Sequence, residues 1–137
     1  MKEKACNLWL EPADYRAIPT NGAVGGDGTA VMESRIAVEA KQRFKDLEID
    51  LGRLVASRGN HVHLIRPGLV LFPIKQFRWA PASLQIVERS ARELCTLVGD
   101  AKTLLPRPNS DDPSLPWEEL AKVLSFLPDN ILVIQHS

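Results

Sequence analysis

The stretch GLVLFP at residues 68–73 is an unbroken apolar run with the length of one β-strand. A strand that is apolar on both faces is expected inside a sheet that is covered by helices on either side. Lys75 follows this run closely, so the sequence places a cationic side chain just after a buried strand. The stretch therefore predicts a sheet core with helical layers on both faces.

The sequence on either side of this run predicts an alternation of strands and helices. Further strands are expected at residues 5–10, 14–19, 61–65, 102–106 and 131–135. Apolar residues recur at helical spacing in four segments. These are expected to begin at Ser34 as N-cap, at Leu47 with an end at Gly59, at Pro81 with an end at Gly99, and at Pro116. The order β-β-α-α-β-β-α-β-α-β implies a three-layer α/β/α sandwich around a mixed sheet.

Ligands of such sheets bind outside the carboxyl ends of the strands. Three features follow predicted strand ends: the turn Thr20-Asn21-Gly22, Lys75, and the proline-rich loop after Leu105. Turns rich in glycine and small residues before a helix also suit a phosphate, since the helix dipole attracts anions. We therefore expect these features to meet at one rim and to bind a phosphate-bearing ligand.

The composition limits the other classes of function. The 137 residues correspond to one domain, residues 1–137, and 17 basic residues balance 17 acidic ones. Without a net positive field or a basic run, generic nucleic-acid binding is not expected. No apolar stretch suits a signal peptide or a membrane span, so a cytoplasmic protein without membrane association is expected. The oligomeric state stays open.

No metal site or cofactor is predicted. Cys6 and Cys95 are far apart and form no CxxC pattern, which favours two reduced thiols. His61 and His63 share one face of a predicted strand, but no third ligand accompanies them at a recognisable spacing.

Three tryptophans stand at element ends, where sheet-edge packing is the favoured use, although Phe77 or Trp79 can also stack on an adenine.

Short motifs along almost the whole chain resemble those of the macro domains. The branch in question contains ADP-ribose-1''-phosphate phosphatases and the glycohydrolases that remove ADP-ribose from protein or DNA. The matching segments, in order, are Cys6-Asn7-Leu8-Trp9, Ala13-Asp14, Thr20-Asn21-Gly22, Met32-Glu33-Ser34-Arg35-Ile36-Ala37, Phe72-Pro73-Ile74-Lys75, Pro106-Arg107-Pro108-Asn109-Ser110-Asp111 and Leu115-Pro116-Trp117-Glu118. Their order agrees with the elements inferred above from periodicity.

The resemblance implies a site for ADP-ribose or a related nucleotide, with Lys75 as the catalytic residue that attacks or polarises the ribose carbon. The ligand-binding residues that it implies are Asn7, Thr20, Asn21, Gly22, Met32, Glu33, Ser34, Arg35, Ile36, Pro106, Asn109, Ser110 and Asp111.

Several of these positions depart from the family pattern. Asn7 replaces the acidic residue that holds the adenine amino group, and the glycines of the second phosphate loop become residues 109 and 111. Asp112 lies next to a position where some family glycohydrolases have a catalytic Asp, and it is expected to point elsewhere. The phosphate loops are therefore degenerate.

Glu33 and Arg35 replace both glycines of the first phosphate turn. Two unit charges about 5 Å apart at an effective dielectric constant of about 20 interact by roughly 3 kcal/mol. An inward-facing Glu33 is therefore expected to repel a pyrophosphate, and Arg35 is a candidate to offset this by binding phosphate. Two functions stay open: ADP-ribose binding with removal of ADP-ribosyl groups, and a non-catalytic binding or interaction module with a degenerate macro fold.

Overall fold

The computed structural model describes residues 1–110, 112 and 114–137. The six strands are β1 (Lys2–Cys6), β2 (Tyr15–Asn21), β3 (Leu64–Arg66), β4 (Leu69–Lys75), β5 (Thr103–Pro106) and β6 (Ile131–His136). The four helices are α1 (Arg35–Arg43), α2 (Leu47–Arg58), α3 (Leu84–Val98) and α4 (Trp117–Leu124). Strands and helices follow one another in the order that the sequence predicts.

The strands form one six-stranded sheet with the order β1-β6-β5-β2-β4-β3. All neighbouring pairs are parallel except β3 and β4, which are antiparallel. The sheet is therefore mixed, as predicted. The carboxyl ends of β2, β4 and β5 lie at one edge of the sheet because these strands run in the same direction.

The sheet separates two apolar clusters, and β4 contributes to both. Val70 and Phe72 pack with α3 and α4, whereas Leu69 and Leu71 pack with α1 and α2. The first six residues of β4 are buried, as expected for an apolar strand with helices on both faces. The three-layer α/β/α prediction is confirmed.

Some predicted boundaries were wrong, and local hydrogen bonds explain the first case. Strand β1 ends at Cys6 rather than Leu10, because the side-chain oxygen of Asn7 accepts from the backbone N–H of Trp9 (2.9 Å) and starts a turn. Helix α3 begins after Ser83, whose hydroxyl accepts from the N–H of Ile86, and not at Pro81. Strand β3 begins at Leu64 instead of residue 61.

The remaining findings concern membranes, metals and thiols. None of the described helices combines the length and apolar character that crossing a bilayer requires. Within residues 1–110, 112 and 114–137, no group of three His, Cys, Asp or Glu side chains is arranged to hold a metal ion. His61 instead pairs with Glu93 across 2.8 Å, and both Cys6 and Cys95 are free thiols.

Candidate functional site

A cavity of about 280 Å³ opens at the carboxyl ends of β2 and β4. Its walls come from the end of β2, the segment before α1 with the first turn of that helix, the end of β4, and the loop after β5. The lining residues are Pro19, Thr20, Asn21, Val31, Met32, Glu33, Ser34, Ile36, Ala37, Leu51, Ile74, Lys75, Arg78, Arg107, Pro108, Ser110 and Asp112. The cavity thus lies where ligands of open α/β sheets bind.

A β-bulge brings Asn21 and Lys75 to the same level of the sheet. Thr20 stands opposite Pro73, but the next residue, Asn21, stands opposite Lys75. The extra residue in β4 is Ile74, which lines the cavity. Bulges of this kind redirect side chains at the end of a strand pair.

Asn60 contacts the backbone at the bulged end of β4. Its side-chain amide donates to the backbone carbonyl of Lys75 (3.0 Å), and the residue is 9% exposed. A Cβ on Gly22 would lie 2.8 Å from Asn60 Cγ and 2.8 Å from the carbonyl oxygen of Gln76. Gly22 therefore lets the turn after β2 pack directly onto Asn60 and the residue that follows Lys75.

Helix α1 directs its N-terminus at the cavity. Ser34 is the N-cap, and its hydroxyl oxygen accepts from the N–H of Ala37 (3.1 Å). Ser34, Ile36 and Ala37 all line the cavity. The first N–H groups of a helix have no partner within the helix, and the dipole places partial positive charge there. This wall therefore carries partial positive charge at the N-terminus of α1.

Glu33 forms an ion pair that the sequence did not indicate. Its two carboxylate oxygens accept from Nε and Nη2 of Arg78, at 2.7 and 2.8 Å. The sequence suggested Arg35 as the residue that offsets Glu33, whereas in the structure Arg78 pairs with this carboxylate. The effect of Glu33 on a phosphate stays a prediction. Arg35 instead donates from Nε to Glu39 at 3.3 Å along the helix surface.

Asp112 lies in the same cavity as Lys75, contrary to the expectation that it points elsewhere. Its carboxylate accepts from the N–H of Ala82 (2.8 Å) and from both the hydroxyl and the N–H of Ser114. Burial opposes ionisation, but these bonds and the charge of Lys75 outweigh it and hold the pKa of this carboxyl below its usual value. The carboxylate therefore joins the loop after β5 to the loop after β4.

The overall structure is similar to several solved macrodomains. The macrodomain of Mycobacterium tuberculosis DarG superposes with a TM-score of 0.78 at 17% identity, covering 99% of this chain and 97% of that one. The macrodomain of Thermus aquaticus DarG gives 0.70 at 20% identity, with the same coverage of 99% and 97%. This chain has the macrodomain fold.

A third similar structure is titled Thermosipho africanus DarTG in complex with ADP-ribose. Its TM-score is 0.70 at 12% identity, and the alignment covers 96% of this chain but only 42% of that one. No family model matches this sequence, and no curated protein matches it significantly. The likeness of this chain to those macrodomains is therefore a likeness of fold.

The predicted site residues fall into two groups. Those in the cavity lining are Thr20, Asn21, Met32, Glu33, Ser34, Ile36, Lys75 and Ser110. Those outside the lining are Asn7, Gly22, Arg35, Pro106 and Asn109. Asp111 lies outside the described residues. The assignment of all these residues to a ligand remains a prediction.

The residues outside the lining have structural contacts of their own. The Asn7 amide donates to the carbonyl of Ser137 (2.8 Å), and that of Asn109 donates to the carbonyl of Leu115 (3.0 Å). Pro106 is the last, buried residue of β5. Asn109 therefore shapes the loop that lines the cavity without lining it.

Two arginines that line the cavity were not among the predicted site residues. Arg78 lies three positions after Lys75, and its place in the loop that directly follows β4 was the available signal. Arg107 donates to Glu3 at 2.8 Å and stacks over the ring of Trp117 at 4.1 Å. The partner Glu3 is 104 positions away along the chain, so local sequence does not indicate this pair.

The aromatic side chains beside Arg78 are exposed. Trp79 is 83% exposed, so the packing role favoured for it at the sheet edge is wrong. Its ring stacks on Phe77 with centroids 5.2 Å apart and an interplanar angle of 10°. The loop after Lys75 thus carries a solvent-facing aromatic pair next to the cavity mouth.

Proposed function

We propose that this macrodomain binds ADP-ribose or a closely related nucleotide in the cavity at the ends of β2 and β4. The observation that carries the proposal is the convergence of Asn21, Lys75 and the N-terminus of α1 on that cavity. An amide, an amine and a positive helix end together suit a ligand with phosphate and ribose groups. The similar structure in complex with ADP-ribose supports the same ligand.

The walls of the cavity suit the different parts of such a ligand. Its apolar portion includes Val31, Met32 and Ile36, whereas Lys75 and Arg78 supply positive charge. The volume of about 280 Å³ is close to the lower end of ligand sites, which is about 300 Å³. We infer that part of the nucleotide fills the cavity and the remainder follows its open rim.

Titration calorimetry with ADP-ribose tests the proposal. We expect saturable one-to-one binding that is weakened by Lys75→Ala and unchanged by Lys122→Ala. Lys122 is a matched control because it is exposed on α4 and does not line the cavity. An absence of binding at millimolar ADP-ribose, or equal effects of the two changes, would contradict the proposal.

We further propose that the cavity removes ADP-ribosyl groups, with Lys75 acting on the ribose carbon. The observation that favours catalysis over a purely binding module is that Lys75 and Asp112 share the cavity, with the charge of Lys75 affecting the Asp112 carboxyl. The test is release of ADP-ribose from ADP-ribosylated protein and from ADP-ribosylated DNA. Binding without release from either substrate would assign the non-catalytic role instead.

A further inference from the structure

The ion pair between Arg78 and Glu33 has the geometry that a guanidinium also makes with phosphate. Two N–H groups of Arg78 donate in parallel to the two oxygens of Glu33, at 2.7 and 2.8 Å. Bidentate pairs of this kind are the reason why Arg recognises both carboxylates and phosphates. Both residues line the cavity assigned above to a nucleotide.

The pair is accessible to a competing anion. The side chain of Arg78 is 59% exposed and that of Glu33 is 46% exposed. Ion pairs between exposed side chains contribute little to stability, because water and salt screen them. A phosphate that enters the cavity mouth therefore meets a guanidinium that can exchange one acidic partner for another at low cost.

Other positive features lie beside the pair. Glu33 directly precedes Ser34, the N-cap of α1, and Lys75 is three residues before Arg78. Within residues 1–110, 112 and 114–137, no carboxylate lies within 4.0 Å of the Lys75 amine. Glu33 is thus the carboxylate that pairs with Arg78, whereas the Asp112 carboxylate in the same cavity accepts from Ala82 and Ser114.

We propose that Arg78 binds a phosphate of the nucleotide and that Glu33 competes with this phosphate for the guanidinium. The inference rests on the proposed function, since it assigns a phosphate-binding residue within the same cavity. The affinity for the nucleotide then depends on how readily its phosphate replaces Glu33 as the partner of Arg78. Glu33 acts as an internal competitor that lowers affinity, and Arg78 acts as a ligand-binding residue.

The decisive experiment compares Glu33→Gln with the double variant Glu33→Gln/Arg78→Ala by titration calorimetry with ADP-ribose. Glu33→Gln frees Arg78, and we expect it to tighten binding about two- to fivefold, the range that an exposed ion pair supports. Adding Arg78→Ala is expected to weaken binding at least about tenfold relative to Glu33→Gln, since charge-assisted hydrogen bonds to phosphate are lost. A variant with Arg78→Lys in place of Arg78→Ala should have an ADP-ribose affinity between those of Glu33→Gln and the double variant, because Lys keeps the charge but lacks the planar fork.

Glu88→Gln is the matched control. Glu88 is 46% exposed and pairs with Arg92 at 2.9 Å on α3, away from the cavity. We expect it to leave ADP-ribose affinity unchanged, and melting temperatures of all variants verify that each is folded. If Glu33→Gln and the double variant bind equally, Arg78 only neutralises Glu33 and the proposal is overturned. It is also overturned if Glu33→Gln binds more weakly than the unchanged protein.

A parallel titration with inorganic pyrophosphate separates this inference from the proposed function. If ADP-ribose does not bind but Glu33→Gln binds pyrophosphate in an Arg78-dependent manner, the nucleotide assignment fails while the anion exchange stands. If ADP-ribose binds and Arg78 makes no difference, only the present inference fails. If neither ligand binds any variant, both are wrong.

Discussion

Asn21 stands opposite Lys75 across the β2–β4 pair, although the preceding residue, Thr20, stands opposite Pro73. This bulge at the carboxyl ends of two parallel strands places an amide and an amine on the same cavity. A regular register would pair Asn21 with Ile74 and move Lys75 one position further along. The bulge is therefore the structural basis for assigning the two side chains to one ligand.

Replacing Lys75 with alanine separates catalysis from binding. If the amine acts on the ribose carbon, release of ADP-ribose from an ADP-ribosylated substrate should fall at least about 100-fold, a barrier increase of roughly 2.7 kcal/mol. The dissociation constant of ADP-ribose should rise less than about tenfold, because several other groups line the cavity. Single-turnover kinetics and calorimetry measure the two effects, and equal losses in both would assign Lys75 to binding alone.

The packing of Gly22 on Asn60 predicts a stability cost for adding a methyl group. Gly22→Ala should lower the free energy of unfolding by about 1–3 kcal/mol, because the new Cβ would approach Asn60 and Gln76 too closely. The cost should be smaller in an Asn60→Ala background but not zero, since the carbonyl of Gln76 remains. Urea denaturation of Gly22→Ala, Asn60→Ala and the double variant measures these free energies of unfolding.

Gly26→Ala is the control for the variants of Gly22 and Asn60. A Cβ at this position would meet nothing within 4 Å, so the change should stay within about ±0.5 kcal/mol. Equal costs at Gly22 and Gly26 would show that the close packing at Asn60 does not constrain the turn.

The two serine N-caps allow the role of the α1 terminus to be isolated. Ser34→Ala and Ser83→Ala each remove a side-chain cap and should each cost about 1 kcal/mol of stability. Only Ser34→Ala should weaken ADP-ribose binding, since Ser34 lines the cavity and Ser83 does not. Calorimetry on both variants checks this, and equal affinities would remove the α1 terminus from the binding site.

The lowered pKa of Asp112 predicts an acid-dependent loss of stability. Its folded-state pKa lies below the ordinary value of about 3.9, so the stabilisation is fully present above that pH and disappears as the pH falls through the folded-state value. Asp112→Asn should cost about 1–2 kcal/mol at neutral pH, because bonds from Ala82 and Ser114 lose their charged acceptor.

The stability difference between Asp112→Asn and the unchanged protein should therefore shrink between pH 5 and pH 3, a range set by the ordinary Asp pKa of about 3.9. Urea denaturation across that range is the measurement. Asp129→Asn controls for loss of one negative charge at a side chain that is 71% exposed. A difference that stays constant with pH would contradict the proposed stabilisation of the Asp112 carboxylate.

Local sequence patterns predicted the elements well because each carries its own signal. The apolar run of β4, the Ser34 cap and the glycine at position 59, which has φ of 85°, are visible without any tertiary contact. Strand β1 was misplaced because Leu8 and Trp9 look strand-like, whereas Asn7 turns the chain. Apolar residues in a buried loop and in a strand follow the same local pattern.

The charge arrangement of the cavity was harder to predict because it depends on pairs that are distant in sequence. Glu33 and Arg78 are 45 positions apart, and the bond joining Asp112 to Ala82 spans 30. A carboxylate taken alone predicts repulsion of a phosphate. When the same carboxylate is paired with a guanidinium, we instead expect the phosphate to replace it as the partner of the guanidinium. The resemblance placed the residues near one rim, and only the three-dimensional contacts show which charges compensate each other.

The two outer strands of the sheet differ from its central strands in length and charge. Among the described strands, β1 has β6 as its one neighbour, and it presents the exposed, alternating charges of Lys2, Glu3 and Lys4. Strand β3, at the opposite edge, has only three residues and an irregular register. Short or charged edges resist the addition of a further strand from another molecule. Both edges of the sheet therefore disfavour edge-to-edge aggregation.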